Sequence, residues 1–253
     1  MDDKTKAYIQ TLAEKYETQE FIPKDPISFP HRFKDKKDIE IAAFVAQWLA
    51  YGKRELFLKV LAKIGEDFKG KPYLYIKNRE FDKYKDDKTV LYRFFTFADY
   101  YLLCEELYTI YFVEGKAVMT MEEVFKQELK TDKVKDPIVL LQLIGNKFSR
   151  VKGIPHDTFS ACKRLFMFLR WMIRKNSTVD FGLWDIMGAE NLLIPVDVHV
   201  LRQSIALNLT TKKTATIKTA IEITANMKTI FPTDPTKADF ALFGLGVDEN
   251  KDE

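Results

Sequence analysis

One carboxylate and a row of cations are the side chains of this 253-residue chain whose types and spacing point most directly to chemistry. The carboxylate is Asp197, in the run Ile194-Pro195-Val196-Asp197-Val198-His199-Val200-Leu201-Arg202. Pro195 stiffens the approach, and Val198, Leu201 and Ile205 repeat at helical spacing, so Asp197 is placed as a helix N-cap. A carboxylate there accepts backbone N–H bonds at the positive end of the helix dipole and stays ionised. Such a group suits stabilising a nearby cation better than taking a proton from a weak acid. The cations lie in residues 147–175, where Lys147, Arg150, Lys152, Lys163, Arg164, Arg170, Arg174 and Lys175 face a single acid, Asp157. That segment carries +7 in a chain whose total is +3, which leaves the remainder at −4. On a helix, Lys163, Arg170 and Arg174 align as one stripe opposite an apolar arc of Cys162, Leu165, Phe168, Leu169, Met172 and Ile173. The stripe reads either as the solvated face of a packed helix or as a phosphate-facing surface, the sequence-independent part of nucleic-acid affinity.

Other chemistries find no support. Cys104 and Cys162 belong to no CxxC or Cys/His ligand set, and no histidines are spaced HxxxH, so neither a zinc site nor a disulfide framework is expected. GxxxxGK[ST], GxGxxG and GxSxG are all missing, which removes the common phosphate-cradling loops and the serine-hydrolase elbow. The opening MDDKTKAYIQ has charge where a signal peptide needs apolar residues, and no apolar run reaches the roughly 18 residues of a membrane span. A reduced, cytoplasmic setting without membrane contact is the expectation.

Side chains so placed need helices to hold them. Glycine and proline together number only 19, and apolar residues recur at i, i+3 and i+4, so the fold class is all-α. The spacing predicts helices over Asp3–Gln19, Asp38–Tyr51, Glu55–Phe68, Val90–Glu114, Met121–Leu129, Pro137–Phe148, Asp157–Arg174, Val198–Asn208, Thr214–Met227 and Pro235–Phe243. Asp157 or Ser160 is placed to cap the basic one. Breaks fall at Pro23–Pro30, Lys69–Pro72, Lys152–Pro155 and Asn191–Pro195.

The run IPVDVHVLR resembles an element of the helix-hairpin-helix DNA glycosylase superfamily, which includes endonuclease III and the 8-oxoguanine glycosylases. Three other stretches fit in order. The segment from Asp38 to Tyr51 is similar to the helix that opens the superfamily's six-helix lobe. Ser160-Ala161-Cys162-Lys163-Arg164 is similar to the start of the helix bearing the catalytic lysine of its bifunctional members. Asp239 to Gly246, DFALFGLG, is similar to its closing helix. The runs DPISFP, CKRLFMFLRW and DFALFGLG also resemble a bacterial family known only as a domain of unknown function.

The resemblance implies two helical lobes with a cleft between them, residues 38–175 in one and 1–37 with 176–253 in the other. It implies base flipping from double-stranded DNA containing a damaged base, an oxidised purine such as 8-oxoguanine. Asp197 would stabilise the cationic sugar, and Lys163 would attack its C1′ and form a Schiff base, giving AP-lyase activity. Tyr51, Lys53, Arg54, Lys152, Arg164, Arg170, Arg174 and Arg202 would contact DNA, and Trp184 and His199 would line the base pocket. The hairpin's paired glycines are absent, the nearest text being Lys152-Gly153-Ile154-Pro155, and no four-cysteine loop follows the closing helix, so no iron–sulfur cluster is expected. A monomer without cofactors is the expectation. Lys163 also reads as one more phosphate-contacting cation, and the whole chain as a DNA- or RNA-binding protein that keeps the fold without the reaction.

Overall fold

A computed structural model describes residues 1–113, 116–117, 119–155, 157 and 159–249. The described residues are predominantly helical. In chain order they form α1 (Asp3–Tyr16), α2 (Lys36–Leu49), α3 (Arg54–Phe68) and α4 (Pro72–Lys77), then a hairpin of β1 (Val90–Tyr92) and β2 (Phe95–Thr96). There follow α5 (Phe97–Tyr111), a short antiparallel pair β3 (Phe112–Val113) and β4 (Lys116–Ala117), α6 (Met121–Leu129) and α7 (Pro137–Lys147). The chain closes with α8 (Lys163–Ile173), α9 (Val198–Ala206), α10 (Ile217–Lys228) and α11 (Ala238–Glu249).

Two compact units result. Met1–Ile22, Lys133–Leu141 and Asp157–Glu253 make up the first, Pro23–Asp132 and Gln142–His156 the second. In the first, Ile9, Leu12 and Ala13 of α1 pack in one cluster with Val200 and Leu201 of α9, Ala220, Ile223 and Met227 of α10, and Ala238, Ala241 and Leu242 of α11. Ala161 and Val196 join that cluster. The residues leading into α8 and α9 are therefore fixed by one core, which is why residues 157–175 group with the C-terminal helices and not with 38–156 as the sequence-based division had it.

The second unit is built on α2, buried continuously from Ile39 to Leu49. The Glu40 carboxylate, fully buried on α2, accepts the Tyr111 hydroxyl at 2.8 Å and the Met121 N–H at 3.1 Å, as a desolvated carboxylate must. Trp48 stacks on Phe95 with ring centroids 4.3 Å apart and donates its indole N–H to the Lys152 carbonyl at 2.9 Å.

Three predicted helices need correction. The helix expected from Val90 to Glu114 is a hairpin followed by α5, because Thr96 and Asp99 form a reciprocal capping box that starts the helix seven residues late; the predicted end at Glu114 lies outside the described residues. The basic helix begins at Lys163, not Asp157. The Asp157 and Ser160 side chains accept the N–H groups of Phe159 and Cys162 in local turns, and Cys162 takes a left-handed φ of 47°. The break predicted at Lys69–Pro72 separates α3 from α4, a helix the spacing did not predict, whose first residue is Pro72, a favoured N1 position. The last helix continues through Gly244, where the Tyr16 ring occupies the space a Cβ would need. Gly244→Ala should therefore destabilise the protein by about 1–3 kcal/mol through overpacking in urea unfolding, whereas Gly246→Ala, whose Cβ meets only the His199 Cβ at 3.5 Å, should be neutral.

Candidate functional site

Asp197 is the N-cap of α9, as its sequence setting predicts. Its two oxygens are divided between two tasks. Oδ1 accepts the backbone N–H groups of His199 at 3.0 Å and Val200 at 2.9 Å, and Oδ2 lies 3.0 Å from the Lys163 Nζ. Burial raises the Asp197 carboxyl, but Lys163, the Val200 N–H and the nearby His199 together outweigh it and hold the carboxyl below its ordinary value. The side chains of Lys163 and Asp197 keep 33% and 23% of their accessible surface, enough for a ligand to reach both. Both residues lie in the first unit, so the expectation of a cleft between lobes dividing them does not hold; Ala161, near Lys163, and Val196 and Val200, beside Asp197, belong to one buried cluster.

The arginine stripe does not face solvent. Arg170 and Arg174 are 3% and 2% exposed. Arg170 pairs with Asp239 and, through Nε, with Asp180 at 3.3 Å, while Arg174 reaches Asp180 at 2.9 Å, Asp234 at 2.7 Å and Glu17. Both guanidinium groups lie over the Phe240 ring. Since α8 is buried on nearly every side, its long cations turn inward, and a buried guanidinium survives only with carboxylates around it. The assignment of Arg170 and Arg174 to DNA contact is thereby overturned. Three more of the segment's cations are paired: Lys147 with Glu128, Arg150 with Glu106 at 2.5 Å, and Lys175 with Asp185. A run of +7 in sequence is no surface field of +7.

Asp239 was not predicted as a site residue. Burial pushes its carboxyl up to about 6, against the pull of Arg170 and Lys163 and with a further push from Asp197. It thus stands next to the Lys163–Asp197 pair electrostatically and next to Arg170 by contact, joining the exposed ion pair to the buried network. The signal was its place as the one acid in the first turn of a helix that is otherwise an apolar run. Cys162, adjacent to Lys163, is buried with its thiol pushed up by desolvation and lacks the thiolate a nucleophile needs.

The remaining expected residues separate. His199 is exposed beside Asp197, and Arg202 is exposed further along α9. Arg164, second in α8, is half-buried. Trp184 is fully buried and packs edge-on against Phe168 at 5.3 Å, so it is core and lines no open pocket. Tyr51, Lys53, Arg54 and Lys152 lie in the second unit. Tyr51 is half-buried, and Lys53 and Lys152 are exposed. Two residues the sequence did not single out, Arg93 and Phe94, sit with them: Phe94 stacks on Tyr51 at 5.0 Å, and Lys152 lies over the Phe94 ring.

A family model described as "Protein of unknown function (DUF2400)" matches residues 25–248. The chain belongs to the DUF2400 family. No curated protein and no solved structure matches it significantly. The DUF2400 match takes in Lys163, Asp197 and Asp239 but begins after α1 and so leaves out Glu17, one of the three carboxylates on Arg174. No helix among the described residues is long and apolar enough to cross a membrane.

The two site carboxylates should respond to pH with opposite signs. Asp197, held low, contributes stability that is present above the ordinary carboxylate range and is lost on acidification; Asp239, held high, favours folding most when protonated, and the wild type loses that contribution as pH rises through about 6. Urea unfolding from about pH 2 to 8 checks this: the stability gap between wild type and Asp197→Asn should widen as pH rises through the acid range below the ordinary carboxylate value, and the gap to Asp239→Asn should move against the wild type up to about pH 6. Arg174→Leu should cost about 3–5 kcal/mol throughout, because it strands buried carboxylates.

Proposed function

We propose that this protein is a DNA repair glycosylase with AP-lyase activity, a cytoplasmic monomer that excises an oxidised purine such as 8-oxoguanine from double-stranded DNA. The observation that carries the proposal is the 3.0 Å contact between the Lys163 amine and the Asp197 carboxylate, both within reach of solvent. The resemblance of IPVDVHVLR and SACKR to the superfamily's elements asks for this pair of groups, and nothing in the spacing of 34 residues obliges them to meet.

The chemistry follows from the pair. An ammonium is no nucleophile, so Lys163 attacks once it has given up a proton to solvent, while Asp197, held below the ordinary carboxylate range, keeps its charge. The nitrogen lone pair forms the bond to C1′ as the glycosidic bond breaks, its electrons leaving with the base, which is then protonated. One of the two protons then on nitrogen is lost, the lone pair it leaves expels the ring oxygen, which takes up a proton, and the resulting Schiff base keeps the other N–H; loss of a C2′ proton then eliminates the 3′ phosphate. While the glycosidic bond stretches, the negative charge at the start of α9 balances the positive charge that builds on the sugar.

One observation favours a second interpretation, a DNA- or RNA-binding protein without the reaction: at rest the charge of Lys163 is already matched by Asp197, which describes a structural ion pair equally well. Borohydride separates the two. Incubated with a duplex containing 8-oxoguanine or an abasic site, the wild type should be trapped as a covalent adduct mapping to Lys163, and Lys163→Gln should give none. Asp197→Asn should slow base release on the order of 100-fold, the loss expected when one preorganised charge-stabilising group is removed. A wild type that binds duplex and forms no adduct with either substrate would contradict the proposal and leave the non-enzymatic interpretation.

A further inference from the structure

The turn between β1 and β2 consists of Arg93 and Phe94. Two-residue hairpin turns need left-handed backbone and favour Asn-Gly or Asp-Gly; here Arg93 holds a φ of +53° and a phenylalanine follows it. Phe94 leaves 54% of its surface in solvent. Forming the hairpin asks for neither residue, and an unfavourable backbone kept in place by its surroundings is a pointer to use.

The surroundings are specific. The Tyr92 hydroxyl donates to the Tyr51 carbonyl at 2.6 Å, the Tyr51 hydroxyl donates to the Tyr92 carbonyl at 3.4 Å, and the Lys152 amine donates to the Phe94 carbonyl at 2.6 Å. Gly52, at φ +78°, lets the chain pass close by, since a Cβ there would strike the Arg93 guanidinium and come within 2.9 Å of the Tyr92 hydroxyl. The Phe94 ring stacks on Tyr51 with an interplanar angle of 29°, the Arg93 guanidinium lies over the Tyr51 ring and the Lys152 amine over the Phe94 ring, both at 5.4 Å. Beneath them Tyr51 and Phe94 both contact Phe95, the ring on which Trp48 stacks. Among the described residues no carboxylate pairs with Lys53, Arg93 or Lys152, whereas Lys147, Arg150, Arg170, Arg174 and Lys175 each have one.

We propose that this hairpin tip is a stacking platform for an unpaired nucleobase of single-stranded nucleic acid, Phe94 giving the aromatic face and Lys53, Arg93 and Lys152 the flanking phosphate contacts. A rigidly held exposed ring among unneutralised cations is the combination that such strands use, stacking being sequence-tolerant and the charges tracking the backbone. An acidic peptide would use the cations and leave Phe94 idle, and an apolar partner would leave the cations unpaired. Every residue involved lies in the second unit, so the site does not rest on Lys163 or on its reactivity.

Fluorescence anisotropy with a short labelled oligodeoxythymidylate tests it on the full chain. Wild type should bind, more weakly as salt is raised. Phe94→Leu, which keeps apolar bulk and removes the aromatic face, should weaken binding about tenfold with an unchanged thermal midpoint. Lys152→Gln should weaken binding and lower the slope of log K against log salt by about one; its exposed side chain keeps the test open should a change at position 94 disturb the hairpin. Lys218→Gln, an exposed cation of α10, should bind as wild type does. Unaltered affinity in Phe94→Leu and Lys152→Gln, no binding by wild type at low salt, or displacement of the oligonucleotide by polyglutamate as readily as by unlabelled oligonucleotide would each overturn the proposal. Adduct formation at Lys163 is read separately, so either proposal can fail without the other.

Discussion

Burying a guanidinium group is tolerated only when carboxylates are buried with it, and the first unit is arranged around meeting that demand at Arg170 and Arg174. Asp180 bridges the two, Asp239 closes one end, and Asp234 and Glu17 close the other. The partners come from the residue that caps the end of α1, from the segment after α8, and from the approach to α11 and its first turn, so the network ties together elements distant in sequence. Removing any one partner leaves an uncompensated charge, which makes the arrangement all-or-none rather than a sum of weak contacts.

Lys163 stands at the open end of this network. Its own partner, Asp197, is at once a helix cap and a counterion, and the two tasks use different oxygens. The position of the carboxylate is thus set by α9 and that of the amine by α8, and neither needs the other for its place. A pair so held can separate and re-form without unfolding its surroundings, which a reactive lysine requires and a purely structural ion pair does not. Asp239, tuned towards neutrality by burial and coupled to both, makes the charge of the site sensitive to its interior neighbour.

Much of this was legible in sequence. Asp197 as a cap, its ionised state and most of the helices follow from spacing and capping chemistry, since both are local. The direction of the basic stripe was not, because periodicity separates apolar from polar faces and takes the polar one as solvated; Phe166, Met167 and Trp171 sit among the cations of α8 and bury that face as well. Arg170 and Arg174 therefore point to carboxylates up to 157 residues away in the chain, a relation no local pattern carries. The hairpin tip was hidden for another reason: apolar residues from Val90 onward also suit a helix, and only the Thr96–Asp99 capping box shows where the helix begins.

The central claim is that Lys163 and Asp197 act as one unit on the glycosidic bond, and a double-mutant cycle on single-turnover base release from an 8-oxoguanine duplex tests it most directly. Groups that work together are strongly non-additive. Lys163→Gln with Asp197→Asn should be no slower than the slower of the two single variants, each folded and each binding duplex. Rates in the double variant equal to the product of the two separate losses, or single variants as fast as wild type, would contradict the account.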